Sequence, residues 1–383
     1  MRFFISGRRT GSQGLPRGRF RVSPGLWLAG FLLVASLPLS APPAFPADTE
    51  GRAVFNLGYD DNVYDDPSDL KKGDFLYRMV LEGRTLISLP QTLALSGSLW
   101  NGAEFFTREE SENRLRQKLS LRLGSENRFL AAFLKGTLES SFFPWKENYW
   151  KQSYYYLKPG TEFSLARNLS SVFRASLIVN YQYFDYHPDT DLSYQFLVYS
   201  GLIESRIRED LRTELSGAES RRWYEGRARR LDQDQNLDSA GFAREDLVDE
   251  LTLALAYSPR WFLRGAYNFQ KGTSNSYGLS FQTHRMSLTF SYPLPTKTIF
   301  HLFAVIQVKK YGNLGTYTIW TEDRRIILAD EQDENLNAIN IRVEQKMNKY
   351  LSLQLTYNRY SNEFSSSRPY SKNLVFLGVR FGT

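Results

Sequence analysis

The sequence contains no cysteine, only three histidines and no series of long apolar runs. Zero cysteine excludes a disulfide scaffold, a thiolate metal site, a cysteine nucleophile and a lipid-modified cysteine. A bundle of transmembrane helices would need several apolar stretches of about 20 residues. The mean hydropathy of −0.42 is too low for that class.

Acidic residues are absent from the first 47 positions, which carry six arginines. The whole chain has 48 basic and 41 acidic residues and a net charge of +7. The 42 basic and 41 acidic residues that follow position 47 nearly cancel. The positive charge therefore belongs to the N-terminal segment, and the sequence predicts no nucleic-acid partner.

Residues 1–47 have the succession of segments that is typical of a secretory signal peptide. Arginines up to Arg21 precede an apolar core from Leu26 to Leu39, and small residues and prolines follow as far as Ala47. The core, about 14 residues long, is short for a membrane-spanning helix. We predict export with cleavage near Ala47, leaving residues 48–383 as one domain. A retained N-terminal anchor helix is the alternative.

Beyond the leader, apolar residues alternate with polar ones at a period of two, which is typical of β-strands exposed to different surroundings on their two faces. From Arg114 to Leu123, leucines occupy one face and ionic residues the other. Segments 173–183, 251–257, 286–292 and 351–357 repeat this pattern. The fold class is therefore all-β. A soluble β-sandwich also alternates, so further features must decide between sandwich and barrel.

The connections between these strands alternate in length. Short ones fall at 89–91, 124–127, 166–168, 209–210, 258–260, 293–295 and 347–349, and longer polar ones near 60–73, 102–113, 143–149, 186–192, 225–246, 271–276, 311–336 and 361–370. Seven short and eight long connections give sixteen strands, with 14 or 18 as alternatives. This layout predicts a closed antiparallel transmembrane β-barrel with short periplasmic turns and long extracellular loops. The longest connections, 225–246 and 311–336, could fold inward as a constriction.

Aromatic residues gather at the expected strand ends. Tyr257, Trp261, Tyr292 and Tyr350 lie at short turns, and the long-connection side carries Phe142, Phe143, Trp145, Tyr149 and Trp150. Amphipathic rings are favoured at membrane interfaces, where two girdles bracket the apolar band of such barrels. The pattern therefore favours the membrane barrel over the sandwich.

Two segments resemble known families. The last strand, with Val375, Leu377, Val379 and Phe381, resembles the C-terminal signal by which bacterial outer-membrane barrels are recognised for assembly, although Gly382 and Thr383 follow it. The segment from Val54 to Tyr64, which includes GYDDNVY, is similar to the opening strand of porin-like barrels often linked to exopolysaccharide or surface-component export. These resemblances imply an outer-membrane location, contact with lipid and with the barrel assembly machinery, and a monomer or homotrimer.

If the apolar face touches lipid, the other face lines an aqueous lumen, because a lipid-facing Lys or Arg at the midplane costs about 2–4 kcal/mol. Seven acids accompany a larger basic set there: Glu82, Glu139, Glu162, Glu204, Glu214, Glu250 and Glu344. The predicted basic lining is Arg78, Arg84, Arg114, Arg116, Lys118, Arg122, Lys135, Lys158, Arg174, Arg206, Arg212, Arg264, Lys309, Arg342, Lys372 and Arg380. This excess favours anions. Arg–Glu struts with little net field are the alternative.

Catalytic and metal chemistry have weak support in the sequence. A cation site at Asp185, Asp189 and Asp191 is conceivable, but a solvated acidic loop is the simpler interpretation. A barrel lipase would need a serine such as Ser280 or Ser287 beside a histidine such as His284 or His301 and an orienting Asn or Asp, and no motif marks a nucleophile. His187 lies in the acidic loop. We predict no enzyme activity, no metal and no cofactor.

The favoured function is an outer-membrane, porin-like channel for passive diffusion of small, preferentially anionic solutes. A conduit for an acidic exopolysaccharide and a non-conducting surface adhesin or scaffold are the alternatives.

Overall fold

The computed structural model describes residues 47–64, 71–89, 93–127, 130–147, 153–231, 237–311, 337–362 and 370–382. Their sixteen strands are β1 Ala47–Asp60, β2 Asp74–Ser88, β3 Leu93–Phe106, β4 Arg114–Glu126, β5 Leu130–Glu147, β6 Ser153–Asn168, β7 Phe173–His187, β8 Tyr194–Arg208, β9 Leu211–Leu231, β10 Leu237–Tyr257, β11 Phe262–Ser274, β12 Phe281–Pro293, β13 Thr298–Tyr311, β14 Asn337–Lys346, β15 Leu351–Asn362 and β16 Tyr370–Gly382. Short 3₁₀ turns cover Glu110–Glu112 and Thr190–Leu192. Within the described residues, no helix is long and apolar enough to cross a membrane.

Each strand pairs antiparallel with its sequence neighbours, and β1 pairs with β16, so the sheet is a closed barrel. The prediction of an all-β, closed, sixteen-stranded antiparallel barrel is confirmed. At the seam, Phe55 lies opposite Val379 and Leu57 opposite Leu377. Gly58 is required there, since a Cβ at this position would lie 2.3 Å from the Phe376 ring.

The two faces of the barrel have opposite composition. Large apolar side chains occupy one face and are unusually exposed: Leu177 is 62% exposed and Ile306 and Leu377 are each 63% exposed. The alternate positions carry most of the ionic and hydroxyl side chains and are more crowded. Because side chains converge on the concave side of a cylinder, the ionic face is the inner face and the apolar face is the outer face. The apolar outer face is that of transmembrane barrels.

The seven short connections lie at one end of the barrel, hereafter the turn end, and the long connections lie at the other, the loop end.

Two strand boundaries differ from the sequence prediction in an informative way. Residues 225–246 were expected to be a loop, but β9 continues to Leu231 and β10 starts at Leu237. Their polar side chains indicate water on both faces, yet cross-strand pairing still satisfies the backbone. A paired hairpin therefore occupies the loop end where a loop was predicted. An inward constriction by this segment stays a prediction.

The other long connection, 312–336, lies outside the described residues, together with its predicted inward fold and added hairpin.

Phe143 departs from the prediction of an aromatic girdle at the membrane interface. Rather than joining an outer girdle, it packs on the inner face against a cluster of buried aromatic residues: Tyr154, Tyr156, Phe184, Tyr186 and Tyr194. The rings of Phe184 and Tyr194 stack at 5.1 Å. At the turn end, Tyr257 and Trp261 contact edge to face at 5.3 Å, in the place expected for a girdle.

Adjacent residues of β10 test the assignment of the faces. Leu253 is 57% exposed on the outer face, and its neighbour Thr252 hydrogen-bonds Glu250 on the inner face. We expect Leu253→Arg to destabilise the barrel in lipid bilayers by about 2–4 kcal/mol, because the guanidinium would face hydrocarbon. Reversible urea unfolding in liposomes measures the difference. Thr252→Arg, at the same depth, should cost less, and equal costs would contradict the assignment.

Candidate functional site: the basic inner wall

The register places every basic residue predicted for the lumen on the inner face. On β4, Arg114, Arg116, Lys118 and Arg122 alternate with outward leucines. The same parity holds around the barrel for Arg78, Arg84, Lys135, Lys158, Arg174, Arg206, Arg212, Arg264, Lys309, Arg342, Lys372 and Arg380. Whether this face lines a conducting pore stays a prediction.

Toward the loop end, the inner cations are neutralised by carboxylates. Glu104 accepts from two arginines, with Arg78 Nη2 at 2.6 Å and Arg114 Nη2 at 2.8 Å. Near mid-height, Lys118 Nζ lies 3.7 Å from Glu139. The Arg78 guanidinium also stacks 4.4 Å over the Phe376 ring. These contacts match the strut arrangement, in which charges brace neighbouring strands and leave little net field.

Arg52 and Glu82 form another such pair, at 2.5 Å between Nη2 and Oε1. Arg52 and Glu104 were missed by sequence reasoning, as was Arg222, which stacks over Phe196 at 5.1 Å on the inner face. Glu104 fell within the predicted 102–113 connection, whereas β3 extends to Phe106. Extending the alternation of β3 by three residues would have found it.

Toward the turn end of β2–β6, the balance of charges changes. A recess of about 420 Å³ is lined by Arg84, Ser96, Gly97, Ser98, Ser120, Arg122, Lys135 and Glu162, a set we call the basic recess. In the described part of the chain, Arg84, Arg122 and Lys135 form no ion pair. Glu162 lies opposite Lys135 in the register and accepts from Asn180 Nδ2 at 3.4 Å. The basic recess thus holds three cations and one carboxylate.

The wall across the barrel contains several ion pairs. Arg264 pairs with Glu214 at 2.6 Å and Arg380 with Glu344 at 3.1 Å. Lys372 contacts the buried Asp60 at 3.0 Å, near the loop end of the seam. On the same wall Arg206, Arg212 and Arg285 form no ion pair among the described residues, so cations without an ion pair occur on both sides of the lumen. The basic recess is distinguished because three such cations line one cavity.

The structure does not assemble the nominated catalytic groups. His284 lies on the outer face, where Tyr267 Oη is 2.7 Å from its Nδ1. His301 lies on the inner face and contacts Ser291 at 2.8 Å between Nδ1 and Oγ, a pair that was not predicted. Ser280 instead accepts from the Ser274 amide.

Ser287 stands opposite Val305 on the inner face, and His187 stacks on Tyr155 with ring centroids 4.7 Å apart. In the loop after β7, the Asp189 carboxylate accepts from the Asp191 amide at 3.2 Å. No group of three or more metal-ligating side chains was found among the residues that the structure describes.

Comparison with known proteins gives similarity at the level of architecture. No protein-family model and no curated protein matches the sequence. Among solved structures, an anion-selective porin from Comamonas acidovorans is 15% identical with a TM-score of 0.47, and the match covers 88% of this chain and 99% of that one. OmpT of Vibrio cholerae is 11% identical with a TM-score of 0.47, covering 90% of this chain and 99% of that one.

A bacterial polysaccharide outer membrane secretin is 9% identical with a TM-score of 0.44, covering 86% of this chain and 97% of that one. At such low identities these similarities add nothing to the closed barrel seen in the chain itself.

Glu104 provides a test of the strut arrangement. Its side chain is 18% exposed and joins β2 to β4 through Arg78 and Arg114. We expect Glu104→Gln to lower the free energy of unfolding by about 1–3 kcal/mol, because two charge-assisted hydrogen bonds are weakened. Urea unfolding monitors the loss. Asp210→Asn is the control, since its pair with Arg208 lies at the β8–β9 turn, where the Arg208 side chain is 70% exposed, and should contribute about 0–1 kcal/mol. Equal losses would contradict the strut role of Glu104.

Proposed function

We propose that the protein is an outer-membrane channel for passive diffusion of small solutes with a preference for anions. The observation that carries this proposal is the basic recess, whose three cations are opposed by one carboxylate. A barrel of sixteen strands is wide enough for an aqueous interior. Cations on such a wall lower the barrier for anions and raise it for cations.

The membrane location rests on the outer face. Exposed leucines, isoleucines and aromatic residues form its surface, while the ion pairs Arg52–Glu82, Arg78–Glu104 and Arg264–Glu214 lie inside. That distribution suits hydrocarbon outside and water inside. The predicted signal peptide would deliver the chain to the periplasm, and the barrel class then favours the outer membrane. The role is that of a channel rather than an enzyme.

The C-terminal strand supports a proposed route of assembly. Val375, Leu377, Val379 and Phe381 share the outer face of β16, where the barrel assembly machinery could contact them before closure. Phe381 and Phe55 meet edge to face across the seam at 6.4 Å. We expect a monomer or a homotrimer, which analytical ultracentrifugation in detergent distinguishes.

Ion selectivity in a planar bilayer tests the channel. We expect steady conductance with a reversal potential, in a salt gradient, displaced toward that of the anion. The triple variant Arg84→Glu/Arg122→Glu/Lys135→Glu should change the permeability ratio toward cations by about tenfold or more, because it replaces a net positive recess with a negative one.

The matched control makes the same charge change on turns outside the lumen, with Arg260→Glu/Lys297→Glu/Lys349→Glu, and should shift the ratio little. An unchanged ratio in the recess variant would exclude the anion preference. Absence of conductance would exclude the channel and favour the adhesin or scaffold. Loss of polymer export on deletion of the gene, with solute uptake intact, would favour the exopolysaccharide conduit.

A further inference from the structure

The basic recess has features that a diffuse selectivity field does not require. Arg122 and Lys135 are directly opposite each other across β4 and β5, on the same face. Like charges in such cross-strand positions destabilise the pair. An anion held between them would relieve that repulsion. The charged residues of the lining, three cations and Glu162, have a net charge that suits a dianion. Glu50 lies opposite Arg84 across β1 and β2, outside the lining.

The remaining lining is made of hydroxyls. Arg84, Ser98 and Ser120 are consecutive register partners on β2, β3 and β4. The two serine Oγ atoms are 2.6 Å apart, and Ser96 lies one inner position toward the turn end. Hydroxyls both donate and accept hydrogen bonds, as the hydroxyls of a sugar do. Their alignment beside the cations gives the recess a charged part and a neutral polar part.

The size and rigidity of the recess also favour a binding site for a small molecule. Its volume of about 420 Å³ is within the range of small-molecule sites, and is larger than one inorganic ion needs. The Arg122 guanidinium lies 3.6 Å from the centroid of the Phe133 ring, which fixes its position by stacking. A guanidinium held in this way is pre-organised for bidentate contact with an oxyanion.

We propose that the basic recess is a binding site for a phosphorylated monosaccharide, with the phosphate between Arg122, Lys135 and Arg84 and the sugar hydroxyls on Ser98 and Ser120. The inference deepens the proposed function and rests on it for the route by which the ligand arrives. A saturable site on the inner wall would retain such solutes in the lumen. An electrostatic field without a binding site would only bias their passage.

Equilibrium binding to the purified full-length barrel in detergent tests the site without any bilayer. Titration calorimetry with glucose 6-phosphate should show saturable binding of one ligand per chain. Sulfate should bind at least about tenfold more weakly, and glucose should show no binding in the same range. Arg122→Gln/Lys135→Gln should weaken glucose 6-phosphate binding by about tenfold or more. Lys297→Gln/Lys349→Gln removes the same charge from the turns and should leave binding unchanged.

Two further variants separate the parts of the site and guard against a folding defect. Ser98→Ala/Ser120→Ala should weaken glucose 6-phosphate binding several-fold while leaving sulfate binding unchanged. Glu162→Gln should tighten sulfate binding about threefold or more, because it removes the only carboxylate of the recess lining. A gain in affinity cannot come from a misfolded barrel.

Sulfate binding as tight as that of glucose 6-phosphate would overturn the proposal, as would equal effects of the recess and turn variants. These outcomes differ from failure of the channel. Anion-biased conductance without binding of glucose 6-phosphate would remove the site alone. Binding by a barrel that does not conduct would retain the site and remove the channel.

Discussion

The structure depends on the need to pair every backbone amide and carbonyl in surroundings where water is absent. In hydrocarbon each unpaired group costs several kcal/mol, so a sheet is stable only when it has no free edge. The β1–β16 pairing meets this requirement by joining Phe55 to Val379 and Asp60 to Leu374. Once the ladder is closed, period two divides the side chains into one set that meets lipid and one that meets the interior. The ionic inner wall follows from closure.

The inner wall has two electrostatic regions. Near the loop end, Glu104 holds Arg78 and Arg114, so the charges there act as braces between strands. Toward the turn end, Arg84, Arg122 and Lys135 are left without ion pairs among the described residues. Paired and unpaired cations, which are alternatives at the level of composition, thus occur together on different parts of the inner wall.

Much of the fold could be predicted from the sequence because, in a barrel, alternation encodes which face a side chain occupies. Arg114, Lys118 and Arg122 could be assigned to the inner face from their leucine neighbours alone. Pairing partners could not be assigned, since they depend on register, which composition does not encode. The bridging role of Glu104 and the position of Lys135 between Arg122 and Glu162 are properties of that register.

Polarity was a weaker guide to strand ends. In the β9–β10 hairpin, hydrophilic residues continue a paired sheet beyond the apolar band, so the change of solvent and the end of the strand do not coincide.

The β1–β16 seam also determines when the barrel closes. Strands β1 and β16 lie at opposite ends of the described chain and pair directly, so closure needs contacts between residues far apart in sequence. Until β1 and β16 pair, the sheet has two unpaired edges that can pair with strands of other chains. Loss of either seam strand would leave one edge permanently open, so the two strands that are most distant in sequence jointly protect the barrel from pairing with other chains.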